Sequence, residues 1–270
     1  MEAMTLKQVQ EFSLQILKDI HNFCVDDDIK YSLAYGTLLG AIRHQGFIPW
    51  DDDIDIMLPR SDFEKFCREY HSEKFIIVSP ESNDGYIPYA RVCDMKKTRV
   101  ISKGPWCKME TGIWVDVFPI DGLPSSICEF DDEVKAIKRL GKLEGRLRTG
   151  KLFHNYKILD TKQVLICGLK KLLYHHYNIR SILTKHIDIL KSHDFNTSDY
   201  CGQLCCVDNP EKEHNPKSDF SGYCKKQFED DYFFVIDGYD NVLSRYYGDY
   251  RQLPPPEAQH PDGYNKYSWL

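Results

Sequence analysis

Apolar residues at Leu6, Val9, Phe12, Ile16, Leu17, Ile20 and Phe23 recur close to every 3.6 positions, so residues 5–24 read as an amphipathic, core-packing helix. Asp26-Asp27-Asp28 then read as a solvated turn. Residues 29–35 (IKYSLAY) predict a strand running into Gly36-Thr37, and Leu38–Arg43 a short helix starting just after that turn. Alternation returns at Ile54-Asp55-Ile56-Met57-Leu58, a strand with one apolar face. Ser61 reads as the N-cap of a helix over Asp62–Tyr70, and Phe75–Val78 and Tyr89–Asp94 as strands. Glu110–Val117 predicts a further strand, closed by Phe118–Gly122. Residues 129–195 read as helical, best over Val164–Tyr174 and Ile179–Leu190. The last 70 residues are loop-rich, with Phe228, Phe233, Phe234 and Val235 as core and Tyr246–Tyr250 with Leu253–Pro256 as a structured turn. The expected fold is mixed α+β: a core sheet flanked by helices, a helical insertion and a loop-rich C-terminal segment. The divisions fall at 1–128, 129–198 and 199–270, integrated into one domain.

The chemistry gathers at Asp51, Asp52, Asp53 and Asp55, four acids in five residues against an apolar run. Residues i and i+2 of a strand share a face, which puts Asp53 beside Asp55. Two carboxylates held together in an apolar setting repel, at a cost of several kcal/mol, unless a cation lies between them. An all-oxygen donor set points to Mg²⁺ or Mn²⁺ rather than zinc. Asp116, between Val115 and Val117, is a second carboxylate inside an apolar strand and needs a partner. A metal shared with Asp53 and Asp55 is the economical one, with Asp51 and Asp52 in support. The glycine turn ahead of a helix exposes backbone N–H groups toward phosphate, and Thr37 adds a hydroxyl. Arg91 reads either as a phosphate clamp or as the surface partner of Asp94.

Composition narrows this further. At 270 residues, with 42% hydrophobic and 28% charged, the chain supports a proper core. No run approaches the roughly 20 apolar residues of a membrane span. MEAMTLKQVQEFSLQIL lacks the basic-then-apolar order of a signal peptide, so a cytoplasmic placement is expected. The ten cysteines then read as reduced thiols. Cys201, Cys205 and Cys206, with His214 and Cys224 nearby, do not follow a standard zinc spacing, and buried or idle thiols are the favoured reading. Seventeen tyrosines leave room for an aromatic pocket for a sugar or a quaternary amine, beside the plainer reading of packing in core and rim. Residues 135–180 hold twelve Lys and Arg against two acids in a chain of net charge −6. That stretch reads as solvated helix faces or as a contact with nucleotide phosphates or an anionic membrane surface at the inner face of the cell membrane.

YGTLLGAIRHQGFIPWDDDIDIMLPRSDFEKF, from Tyr35, resembles the signature of the LicD family, which embraces the fukutin-type transferases. WVDVFPIDGLP from Trp114 and YGDY…LPP from Tyr247 are similar to that family as well. The resemblance covers residues 5–125 and 225–257. After Leu253-Pro254-Pro255 the chain departs from it, with Glu257-Ala258-Gln259-His260-Pro261 where family members often carry a basic, His-rich stretch. The resemblance implies a nucleotidyltransferase-like core and transfer of phosphocholine, or a related phosphoalcohol, from CDP-choline or another CDP-alcohol to a cell-surface glycan, lipid-linked or free. No nucleic-acid partner is expected. On this reading Asp53, Asp55 and Asp116 are catalytic and hold Mg²⁺ or Mn²⁺, Asp116 also being the candidate for deprotonating the acceptor. Gly36, Thr37, Arg43 and Arg91 bind donor phosphates. Asp51, Asp52, Trp50, Asp121, Tyr247 and Asp249 support the site, and Trp50, Trp114 or the tyrosines face the choline cation. The alternatives are a nucleotidyltransferase that releases pyrophosphate from an NTP, and a non-catalytic nucleotide- or glycan-binding relative.

Overall fold

The first apolar period becomes helix α1 (Leu6–Asp26), with Ile16, Leu17 and Ile20 fully buried. Thr5 and Gln8 satisfy each other's backbone N–H groups in a capping box ahead of it. The computed structural model describes residues 2–82, 87–102, 112–151, 172, 176–206, 208–261 and 265–270. The helix expected over Val164–Tyr174, apart from Leu172, lies outside the described residues, as do Glu110 and Thr111 at the start of the strand expected over Glu110–Val117.

The fold is α+β. Its principal sheet runs β1 (Ser32–Leu33), β2 (Asp55–Pro59), β6 (Trp114–Leu123), β4 (Ala90–Cys93), β3 (Ile76–Val78). β2 and β6 are parallel, and the other neighbours along this order are antiparallel. β7 (Tyr200–Gly202) extends the far end of β6 and pairs in turn with β8 (Asn215–Pro216). The hairpin β9 (Tyr223–Phe228) and β10 (Asp231–Ile236) lies beside β1, where the Ile236 N–H donates to Ser32 Oγ at 3.0 Å. β5 (Thr98–Ser102) pairs with β11 (Asn265–Trp269).

Alternation along β2 and β6 divides the core. Ile54, Ile56, Leu58, Val115 and Val117 pack toward α1, with Phe228, Phe233 and Val235. Met57, Phe118 and Ile120 face the other way, toward α4 (Ile127–Lys151), α5 (Ile179–Leu190) and α6 (Tyr239–Tyr247). Among the described residues no helix is long and apolar enough to cross a membrane.

Several local expectations are corrected. The strand expected over 29–35 shrinks to two residues, and α2 (Tyr35–Arg43) begins before Gly36, not after it. Tyr35, at φ 47°, takes the left-handed conformation just ahead of the turn expected at Gly36-Thr37. α3 (Arg60–Glu69) follows β2 without a break: Pro59, not Ser61, occupies the N-cap position and makes no side-chain cap bond. β6 continues through Phe118–Gly122, which the sequence reading closed as a turn. Pairing with β7 supplies its backbone partners there, and the bare Cα of Gly122 leaves room for the loop ahead of β7, since a Cβ would stand 2.6 Å from the Asp194 carbonyl oxygen.

Candidate active site

β2 and β6 pair so that Asp55 stands opposite Asp116, and β6 and β4 so that Asp116 stands opposite Arg91. Residues directly opposite on neighbouring strands share a face. Asp55, Asp116 and Arg91 therefore form one row across three strands. Arg91 Nε donates to Asp116 Oδ1 at 2.6 Å, Trp114 Nε1 donates to Asp116 Oδ2 at 2.9 Å, and an Arg91 Nη donates to the Tyr89 hydroxyl at 2.9 Å. The guanidinium lies 4.5 Å from the Trp114 ring centroid and 5.4 Å from that of Tyr89. Asp116 thus has a partner, and it is Arg91. The expected surface pair of Arg91 with Asp94 is replaced by this buried one. Asp94 instead accepts from the N–H groups of Lys96, Lys97 and Thr98.

The acidic run is fixed from both ends. The Asp55 N–H donates to Thr37 Oγ1 at 2.9 Å, tying the start of β2 to α2. Asp52 Oδ2 accepts from the Tyr267 hydroxyl on β11 at 2.9 Å. A Cβ on Gly36 would stand 2.6 Å from Asp51 Oδ2, so only glycine lets that carboxylate approach the N-terminal turn of α2. Among the described residues Asp51, Asp52 and Asp53 each bring one ligand oxygen within 4.8 Å of the others, whereas Asp55 and Asp116, expected to share a cation with Asp53, do not join that group. Burial, then repulsion from Asp53, Asp116 and Asp51, holds the Asp55 carboxyl well above the usual carboxylate range. Burial, then Asp51, Asp52 and Asp116, does the same to Asp53. Asp53 also reaches the surface, but three neighbouring carboxylates push in that direction whatever its exposure. Tyr247, 42% exposed, joins them: burial first, then Asp55, Asp51 and Asp53, keep its phenol protonated.

Other expected residues lie elsewhere. Arg43 donates to the carbonyls of Tyr250 (3.0 Å) and Gln252 (3.2 Å), so it fastens the C-terminal turn to α2. Asp121 points to the opposite face of β6 from Asp116 and is clamped by Arg60 at 2.6 and 2.5 Å. Asp249 accepts from Gln252 within its own turn, and Trp50 packs against the α1 side of the core. Cys201, Cys205, Cys206, Cys224 and His214 do not form a ligand group among the described residues; His214 Nε2 is hydrogen-bonded to the Pro124 carbonyl and its ring stacks on Tyr200.

The structure adds groups that sequence reading missed. A cavity of about 560 Å³ opens beside the row, with Tyr89 and Arg91 on the sheet side and α4 and α5 opposite. Glu213, buried, accepts from the hydroxyls of Tyr35 and Tyr246 and from the Gln203 N–H. Burial pushes its carboxyl up to about 7. The folded state therefore holds this proton more tightly than the unfolded chain, where a Glu titrates near ~4.3. Stability is full below that value and is lost as the pH rises through 7, by about 4 kcal/mol. Glu213→Gln, which stays neutral, is expected to gain most of that difference at pH 8 and almost none at pH 4, read by urea unfolding at the two pH values.

An α+β domain that lines up carboxylates on adjacent parallel strands beside a helix N-terminus is suited to handling phosphate, and the comparisons agree. The profile of the LicD/FKTN/FKRP nucleotidyltransferase domain matches residues 28–131, which include α2, β2, β4 and β6. The chain is 31% identical over 269 residues, 97% of each protein, to the lipopolysaccharide cholinephosphotransferase LicD of Haemophilus influenzae. Uncharacterized proteins of Rickettsia prowazekii and Rickettsia typhi are each 52% identical to this chain over 48 residues, 18% of this chain and 18% and 16% of theirs. The chain belongs to the LicD family.

Proposed function

We propose that the protein transfers phosphocholine from CDP-choline to a hydroxyl of a cell-surface glycan of the lipopolysaccharide type, releasing CMP. What carries the reading is the Asp55–Asp116–Arg91 row, in a chain that aligns end to end with a cholinephosphotransferase. The acceptor oxygen forms a bond to the choline-bearing phosphorus as the bond from that phosphorus to CMP breaks, and the acceptor proton leaves to a carboxylate of the row.

The residues fit Mg²⁺ or Mn²⁺. The donors are carboxylate oxygens only, and Asp53 and Asp55 carry mutual repulsion that a cation would relieve. Asp53, Asp55 and Asp116 would hold the ion, with Asp51 and Asp52 beside them. When bound, it neutralises charge on the transferred and departing phosphates. Arg91 keeps the Asp116 carboxylate oriented, and Thr37 fixes where β2 begins. The basic stretch 135–180 suits an anionic, lipid-linked acceptor.

The test is incubation with CDP-choline, CDP-ethanolamine, CDP-glycerol or CDP-ribitol, Mn²⁺ and a glycan acceptor, following CMP. CMP release from CDP-choline that depends on acceptor is expected. No turnover of any CDP-alcohol, or pyrophosphate release from CTP, would sink the proposal.

A further inference from the structure

The cavity beside the row contains a polar device that the phosphate chemistry leaves unused. Glu144 of α4 and His186 of α5 are 2% and 1% exposed, and Glu144 Oε1 lies 2.9 Å from His186 Nδ1. A proton on Nδ1, held by the carboxylate, leaves Nε2 as a hydrogen-bond acceptor. Nε2 is buried and has no hydrogen-bond partner among the described residues, although both residues line the cavity. A buried unpaired nitrogen beside open space calls for a ligand that donates a hydrogen bond. Lys138 and Lys142, one helical turn apart on α4, line the same space. Most of the remaining wall is apolar, including Val134, Ile137 and Leu204.

Two features favour the acceptor over the donor as occupant. The family profile ends at residue 131, so the row and α2 lie inside the shared domain, whereas Glu144, His186, Lys138 and Lys142 lie outside it. The row, inside that domain, is already assigned to the phosphates, which leaves the wall contributed from beyond it for the alcohol. A sugar also offers what this wall asks for: hydroxyls to donate to Nε2, apolar ring faces for the aliphatic lining, and, on a charged glycan, anionic groups for the two lysines.

We infer that the cavity between α4, α5 and the sheet is the acceptor subsite, and that His186 Nε2, set by Glu144, accepts a hydrogen bond from a hydroxyl of the acceptor sugar. The assignment rests on the transfer reading above for its kinetics, but not for its binding test.

Gly141 provides a steric probe. It lines the cavity, and a Cβ built there meets nothing within 4 Å. Gly141→Leu should therefore fold well, since it also removes a helix-weakening glycine. His186→Leu with Glu144→Gln removes Nε2 without stranding a buried charge. With deacylated lipopolysaccharide oligosaccharide as acceptor, both variants are expected to lose about 10- to 100-fold in acceptor kcat/KM, with the KM for CDP-choline within twofold of wild type. Unchanged acceptor kcat/KM overturns the inference; so does a raised KM for CDP-choline, which would make the cavity the donor's. Should the wild type turn over no CDP-alcohol, the transfer reading fails by itself, and titration calorimetry with the same oligosaccharide still decides the subsite. Binding by wild type that Gly141→Leu loses supports it, and equal or absent binding in both overturns it.

Discussion

Asp55→Asn is expected to cost about 10³-fold or more in transfer rate, the scale of removing a preorganised charge-stabilising group, while making the metal-free protein harder to melt. Both effects come from one source. Asp55 is pressed from its range by burial, then by Asp53, Asp116 and Asp51, so its charge is a strain on the metal-free fold. A carboxyl with a raised folded-state pKa gives stability that is complete below its unfolded value near ~3.9 and disappears as the pH rises through the folded value. Asparagine keeps the shape and drops the charge, so the variant's advantage should grow from pH 5 to pH 8. Wild type should recover the same stability another way, through a rise in Tm on adding Mn²⁺ or Mg²⁺ that Asp55→Asn largely loses. The measurements are thermal melts with and without the ion at both pH values, alongside CMP release. A variant that keeps activity within tenfold, or the full metal-dependent rise in Tm, removes Asp55 from the site.

What made Asp55 legible is local. A carboxylate between isoleucines announces itself in five residues of sequence, and Asp116 between two valines does so again. That the two meet in register depends on the parallel pairing of β2 with β6, across 61 positions, and no local pattern encodes it. The partner of Arg91 was readable in principle. Arg91 and Asp94 are three apart in an extended segment, so their side chains leave opposite faces and cannot pair across the strand. Nearness in sequence misled where strand parity would not have. The strand-to-helix turn was placed at Gly36-Thr37 because glycine is the ordinary punctuation there, whereas the helix starts at Tyr35, which itself takes the left-handed conformation. Gly36 is needed instead for the close approach of Asp51, a contact between residues 15 apart. Glu144 and His186 were out of reach for the same reason as the cavity itself: they join two helices that only tertiary packing brings together. Asp121 was sorted by motif rather than by parity. Five positions from Asp116 on one strand, it had to face away, and there it fastens Arg60 and the start of α3.

Arg91→Met should be the most destabilising single change near the site, by about 3–5 kcal/mol, because it leaves the Asp116 charge buried without its partner. In a chain of this size that corresponds to a fall in Tm of roughly 10 °C. The loss has a specific remedy. Adding Asp116→Asn removes the stranded charge, and the amide oxygen can still accept from Trp114 Nε1, so the double variant is expected to regain more than half of the lost stability. Activity should not follow. If Asp116 were only a counter-ion for Arg91, deleting both would return a folded and working protein. If the row acts as proposed, the double variant folds and remains at least 10²-fold below wild type, because a carboxylate and the cation that orients it are both gone from the face where the phosphates react. The comparison of urea unfolding and CMP release across wild type, the two single variants and the double separates these cases. Restored activity in the double variant would reduce Asp116 to a structural residue and leave the site to Asp53 and Asp55 alone.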